Sequence, residues 1–171
     1  MIKFPDDLPI VERSAVRLAV LDVRDRLLLF HTREPYYPEL GTWWELPGGG
    51  IDLGETYLGA AMRELREETG ITVGSSQVGH PTWQRRASFR HRDVRRVQDE
   101  VIVTARLATV GPEVDESGRF DYEKEEYFGY RWWPVGSVIA SRERFYPGRL
   151  PTLLPRFLSG EEIAEPFELW S

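Results

Sequence analysis

Apolar and polar positions change period several times along the chain, and each change marks an element. "SAVRLAVLDV" and "RLLLFHT" are apolar, β-branched-rich runs separated by "RD", which predicts a hairpin or two adjacent strands. Residues 34–41, "EPYYPELG", hold two prolines and a glycine and read as a loop, after which a short strand, "TWWEL", runs into Pro47-Gly48-Gly49-Gly50. From Thr56 the period lengthens. Leu58, Ala61, Met62, Leu65 and Thr69 recur at three- and four-residue steps, which predicts an amphipathic helix with Thr56 as N-cap and Gly70 as its left-handed stop. Further strands are expected at "ITV", around "PTWQRRASF" and at "EVIVTARLATV", with the arginine-rich "RHRDVRR" connecting the last two. A polar, acidic loop is expected over residues 111–126, then a strand, "YFGYRWWPV", and a short helix within "RLPTLLPRFLSG"; the pattern of "EPFELWS" assigns nothing.

Length and composition narrow this picture. The 171 residues show no internal repeat and no long flexible linker, so one domain over residues 1–171 is expected. No apolar run approaches the ~20 residues of a membrane helix, and "MIKFPDDLPIVE" lacks the layout of a secretory signal, so no membrane partner and a cytoplasmic location are expected. There is no cysteine, and the three histidines are scattered, so any metal must be held by oxygen. The net charge of −6 disfavours long nucleic acid as a partner while permitting a local basic pocket.

Candidate chemistry centres on "RELREETG". On a helix Glu64, Glu67 and Glu68 share a face opposite Leu58, Ala61 and Leu65, and like charges so placed cost roughly 0.2–0.5 kcal/mol per pair. A solvated face, partly neutralised by Arg63 and Arg66, is the simplest reading. Just upstream, however, three consecutive glycines follow a strand, where bare backbone can approach a ligand closely. A hard divalent cation would turn the mutual repulsion of the carboxylates into coordination.

Residues 49–71, "GGIDLGETYLGAAMRELREETGI", resemble the Nudix box, G-x5-E-x7-R-E-U-x-E-E-x-G-U with U aliphatic: Gly49 opens it, Glu55 is its first glutamate, Arg63-Glu64-Leu65 and Glu67-Glu68 follow, and Gly70-Ile71 closes it. The resemblance implies an α/β Nudix fold, an α/β/α sandwich with a central mixed sheet, on which the box helix packs through Leu58, Ala61, Met62 and Leu65. It implies Mg2+, with Mn2+ as a substitute, held by Glu64 and Glu68 together with Glu67, a carbonyl near Gly49 and a downstream acid, Glu126. It also implies that Arg63 pairs with Glu55. The reaction implied is hydrolysis of the pyrophosphate bond of a nucleoside diphosphate linked to another moiety, so the partner is a small-molecule nucleotide derivative; a homodimer is compatible with the family. Glu64 is favoured as the base, with Glu100, Glu125 and Glu126 as alternatives.

Six arginines and a histidine within residues 83–96 suggest a phosphate-gripping rim in which Arg85, Arg86 and Arg90 bind substrate; a solvated hairpin is the competing reading. In Trp43-Trp44 and Trp132-Trp133 one ring of each pair should point inward, leaving base stacking to the other. The absence of G-K-[ST] after "PGGG" argues against a P-loop ATPase. Within the resembled family, the isomerases of isopentenyl diphosphate use a cysteine that is missing here, and ligand-binding sensors or scaffolds usually carry a degraded box, whereas this one is intact. No subfamily signature follows the box, so candidate substrates run from nucleoside triphosphates and oxidised nucleotides to nucleotide sugars and RNA ends.

Overall fold

Alternation along the first apolar run decides which residues face which layer. In β1 (Ile10–Leu21), Val16, Leu18 and Val20 enter one hydrophobic cluster while Ala19 and Leu21 enter another, as the two-residue period of a strand requires. The computed structural model describes residues 1–171. Its remaining strands are β2 (Arg26–Arg33), β3 (Thr42–Glu45), β4 (Gly48–Gly50), β5 (Trp83–His91), β6 (Val94–Arg106), β7 (Tyr127–Pro134), β8 (Phe145–Tyr146), β9 (Ile163–Ala164) and β10 (Glu168–Leu169). The helices are α1 (Tyr57–Thr69), α2 (Asp121–Glu126), α3 (Val135–Ala140) and α4 (Leu150–Leu158).

β1 is the spine of a mixed sheet. It runs parallel to β6 from Ile10↔Arg95 to Leu21↔Arg106, and β6 is antiparallel to β5. On its other side β1 meets β2 only at Leu21↔Leu27 and then pairs with β4 at Ala15–Arg17. β2 carries β3 and β7, both antiparallel. The two halves of the sheet thus diverge from the β1–β2 turn, and the triple glycine is wedged into the gap. α1 covers one face through Ala60, Ala61 and Leu65, and α3 and α4 cover the other through Val138, Leu150, Leu153, Leu154 and Phe157. This is the expected sandwich, and no helix in it is long and apolar enough to cross a membrane.

α1 begins and ends as its caps dictate: Thr56 Oγ1 accepts from Gly59 N at 3.0 Å, and Gly70, at φ 74°, donates to Arg66 O at 2.8 Å. Other elements differ from the sequence expectation. "RHRDVRR" is not a connection but the ends of two long strands around a turn at Arg92-Asp93, because the cross-strand ladder to β6 stabilises polar residues that the apolar pattern did not mark. "ITV" forms no strand; Ile71 and Val73 are buried against the α1 layer without ladder partners. The acidic loop ends in the short helix α2; the unassigned tail supplies β10, and Ile163–Ala164 just before it form β9, both parallel to β5 along the sheet edge. Trp43 and Trp133 are buried, as alternation requires of one residue in each pair.

Leu65 is fully buried at the centre of the α1 layer. Leu65→Ala is expected to destabilise the fold by about 2–4 kcal/mol, measured by denaturant unfolding, through lost burial and the cavity left behind.

Candidate active site

A cavity of about 490 Å³ opens where β1 and β2 diverge, bounded by β4, the polar face of α1 and the segment leading into β7. Gly48, Gly49 and Gly50 all line it, and the lack of side chains is what admits their neighbours. A Cβ on Gly48, whose φ is 144°, would overlap the Val16 carbonyl oxygen, and one on Gly49 would lie 2.5 Å from Glu64 Oε1. The Glu64 carboxylate therefore occupies space that any other residue at position 49 would fill.

Arg63 organises the acidic face. Its Nε and Nη2 donate to the two oxygens of Glu55, both at 2.8 Å, while Nη2 also donates to Gly50 O at 2.9 Å. Nη1 donates to Glu64 Oε1 at 2.9 Å and Glu67 Oε2 at 3.2 Å. One guanidinium thus ties the loop, the glycine strand and the helix together in a bidentate, charge-assisted arrangement. The Arg63 hydrogen bonds hold the Glu55 carboxyl down at about 2.

Glu68 sits deeper, 6 % exposed rather than facing water, because α1 leans its face onto the cleft. Its Oε1 accepts from Gly48 N at 3.2 Å, and Arg119 Nη2 stands 3.6 Å from Oε2 with its guanidinium over the Tyr127 ring. Burial raises the pKa of both Glu68 and Glu64, and their mutual repulsion adds to the rise at Glu68. Two desolvated carboxylates that Arg63 and Arg119 only partly neutralise match what a hard divalent cation takes, oxygen donors of negative charge on a rigid frame, so Glu64 and Glu68, with Glu67 beside them, fit such an ion.

Across the cavity Glu126, Glu34 and His91 place ligand atoms within 4.8 Å of one another. His91 Nδ1 lies 3.1 Å from Glu34 Oε2, and burial pushes the Glu126 carboxyl up to about 7. Glu126 Oε1 is 3.4 Å from Arg92 Nε but accepts no hydrogen bond.

The structure brings Gly49, Glu55, Arg63, Glu64, Glu67, Glu68, Arg90 and Glu126 to this neighbourhood, and it separates others from it. Arg85 is corrected from rim to core: its side chain is fully buried against Glu165 at 3.3 Å, Glu168 at 2.8 Å and Glu100 at 3.6 Å, since strand alternation turns it inward beneath the tail. Arg86 is corrected as well; it pairs on the outer surface with Asp99 at 2.8 Å and Glu12 at 3.1 Å. Arg90 lines the cavity while pairing with Glu39 at 3.2 Å. Glu100 is enclosed in the core and Glu125 lies outside the cleft. Arg96 and His91, which belong to the arginine-rich run of residues 83–96 without an individual role expected of either, line the cavity, as do Arg13, Arg119 and Glu34, which sequence reasoning missed. Only Arg17, a buried charge inside an apolar run, offered a signal that β1 carries more than core.

Comparison with known proteins agrees with this geometry. Residues 11–155 match the family model described as the NUDIX domain. The chain belongs to the Nudix family and is a pyrophosphohydrolase of the Nudix type. It is 32% identical over 122 residues to an RNA pyrophosphohydrolase of Psychrobacter cryohalolentis, covering 66% of this chain and 70% of that one. Its fold resembles that of a MutT protein from Methanosarcina mazei Go1, with a TM-score of 0.60 at 19% identity over 90% of this chain and 96% of that one. A C. elegans Ap4A hydrolase gives 0.56 at 20% identity over 86% and 98%.

Because Glu55 titrates at about 2 in the fold against an ordinary 4.5, its ion pair stabilises the protein above pH 4.5 and that contribution is lost as pH falls toward 2. Glu55→Gln is expected to lower the melting temperature at pH 7 by about 2–4 °C, roughly 1 kcal/mol, with the gap to wild type closing between pH 5 and pH 2.

Proposed function

We propose that this protein hydrolyses the pyrophosphate bond of a nucleotide derivative, a nucleoside diphosphate linked to another moiety, with the aid of Mg2+ or Mn2+. The observation that carries the reading is the pair Glu64 and Glu68, desolvated side by side against a strand without side chains, inside a cavity large enough for a nucleotide. Glu64, Glu68 and Glu67 would hold the ion. When bound, it supplies charge to polarise a phosphoryl oxygen, acidify a water and neutralise the leaving phosphate. Arg63 and Glu55 act through their neighbours, fixing Glu64 and Glu67 relative to the glycine strand.

Glu64, favoured from sequence as the base, is already engaged by Arg63 and packed against Gly49, so the proton acceptor is assigned to Glu126. Its free Oε1 and its carboxyl near 7 suit it to take a proton from water at neutral pH. Glu34 and His91 stand within 4.8 Å of it and set its environment, the imidazole favouring the charged carboxylate and Glu34 opposing it.

Glu68→Gln is expected to lower Mg2+-dependent product release on a nucleotide panel at least about 100-fold with unchanged circular dichroism. An active variant with unaltered Mg2+ dependence would refute the ligand assignment. Glu126→Gln should reduce kcat by about 10²–10⁴-fold while Mg2+ affinity, measured calorimetrically, stays within a factor of about two; a large loss of Mg2+ affinity would make Glu126 a ligand instead of the base.

A further inference from the structure

On the other side of the glycine strand lies a set of charges that the carboxylate site does not use. Arg13 and Arg96 both line the cavity and neither is ion-paired. In the parallel pairing of β1 with β6, Arg13 stands opposite Gln98 and Val11 opposite Arg96, so the two arginines are diagonal neighbours on one face. Arg17, further along that face, is ion-paired with Glu100 at 3.8 Å and donates through Nη1 to Leu46 O at 3.4 Å, so its charge is already countered.

Arg13 is held by a buried relay. Its Nε donates to Gln98 Oε1, Gln98 Nε2 donates to Glu100 Oε1 at 2.6 Å, and the Tyr146 hydroxyl donates to the same oxygen. Gln98, Glu100 and Tyr146 are all buried. The relay fixes the guanidinium plane while leaving Nη1 and Nη2 without protein acceptors. A Cβ on Gly50 would lie 3.1 Å from Arg13 Nη1, just as one on Gly49 would meet Glu64. Consecutive glycines therefore admit a carboxylate and a guanidinium to the two faces of one strand, and both open on the same cavity. Burial, with Arg17 and Arg96 nearby, lowers Arg13 to about 10, a crowding of like charge that an anion relieves.

We propose that Arg13 and Arg96 form a subsite for a terminal phosphate, so that the substrate carries a free polyphosphate end, as a 5′-triphosphate does, and not a diphosphate esterified on both sides. The substrate assignment rests on the hydrolase reading above; the anion site itself does not. A phosphate esterified on both sides bears one charge, whereas a terminal one bears nearly two, which two unpaired guanidiniums match. A free nucleotide and an RNA 5′ end share this chemistry.

Calorimetric titration with inorganic tripolyphosphate in EDTA reads the subsite without metal or turnover. Wild type is expected to bind, and Arg13→Gln combined with Arg96→Gln to weaken binding at least about 10-fold, with Arg96→Gln alone in between. No binding by wild type, or undiminished binding by a double variant with native circular dichroism, overturns the subsite and leaves the hydrolase reading standing. With Mg2+ present, Arg96→Gln should cost kcat/KM on a nucleoside triphosphate at least about tenfold more than on a nucleotide sugar, mainly through KM. Equal losses on the two overturn the terminal-phosphate assignment. Running a 5′-triphosphorylated oligoribonucleotide beside the free triphosphate identifies the source by the higher kcat/KM.

Discussion

Two carboxylates kept from water against a strand that has no side chains form the constraint on which the rest of the structure depends. A Cβ at position 49 would come within 2.5 Å of the Glu64 carboxylate, and Glu68 takes a hydrogen bond from the backbone of Gly48. The glycines cannot retreat, since they are paired to β1 at Ala15–Arg17. Nor can α1 rotate, since Ala60, Ala61 and Leu65 are fully buried on its opposite side. Arg63 completes the frame by bonding to the loop, the strand and the helix at once. The cost of burying negative charge is met by rigidity, which is the condition under which a divalent ion binds without reorganising its ligands.

The cleft exists because β1 serves two partners in turn. Had it remained paired to β2 beyond Leu21, the strands would have closed over the space that β4 and the cavity occupy. Divergence leaves polar side chains of β1 and β6 facing a cavity instead of a neighbouring layer. Arg13, Arg17, Gln98 and Glu100 consequently form a hydrogen-bonded and ion-paired network in the floor of the site. Tyr146 engages Glu100, and the tail residues Glu165 and Glu168 engage Arg85, while Arg17 Nε, Arg85 Nε and Nη1 and Glu100 Oε2 stay without hydrogen-bond partners, so the network is held by ion pairing as much as by hydrogen bonds. The tail thus belongs to the same electrostatic unit as the cleft. Its Trp170 lines the cavity and packs against Trp43 at 4.6 Å between ring centres.

Charge is partitioned across β4: carboxylates of α1 on one side, guanidiniums of β1 and β6 on the other. That partition is what the proposed terminal-phosphate subsite rests on, since it sets cationic groups beside the carboxylates without pairing them to each other. Glu126, Glu34 and His91 close the remaining wall at the start of β7 and the ends of β2 and β5.

The sequence by itself determined the box helix, its caps at Thr56 and Gly70, the crowding of Glu64, Glu67 and Glu68, and the glycines beside them, because spacing within one helix and its adjoining turn is local and fixed by backbone geometry. The same locality fixed the strands with continuous apolar runs. Tertiary structure alone decided the rest. Whether Arg85 points to solvent or into the core depends on strand register and on a tail some eighty residues away, and the meeting of Arg13 with Arg96, or of Glu34 with His91 and Glu126, depends on which strands become neighbours. Those outcomes are set by pairing between distant segments, a one-residue shift of which would turn every side chain to the opposite face.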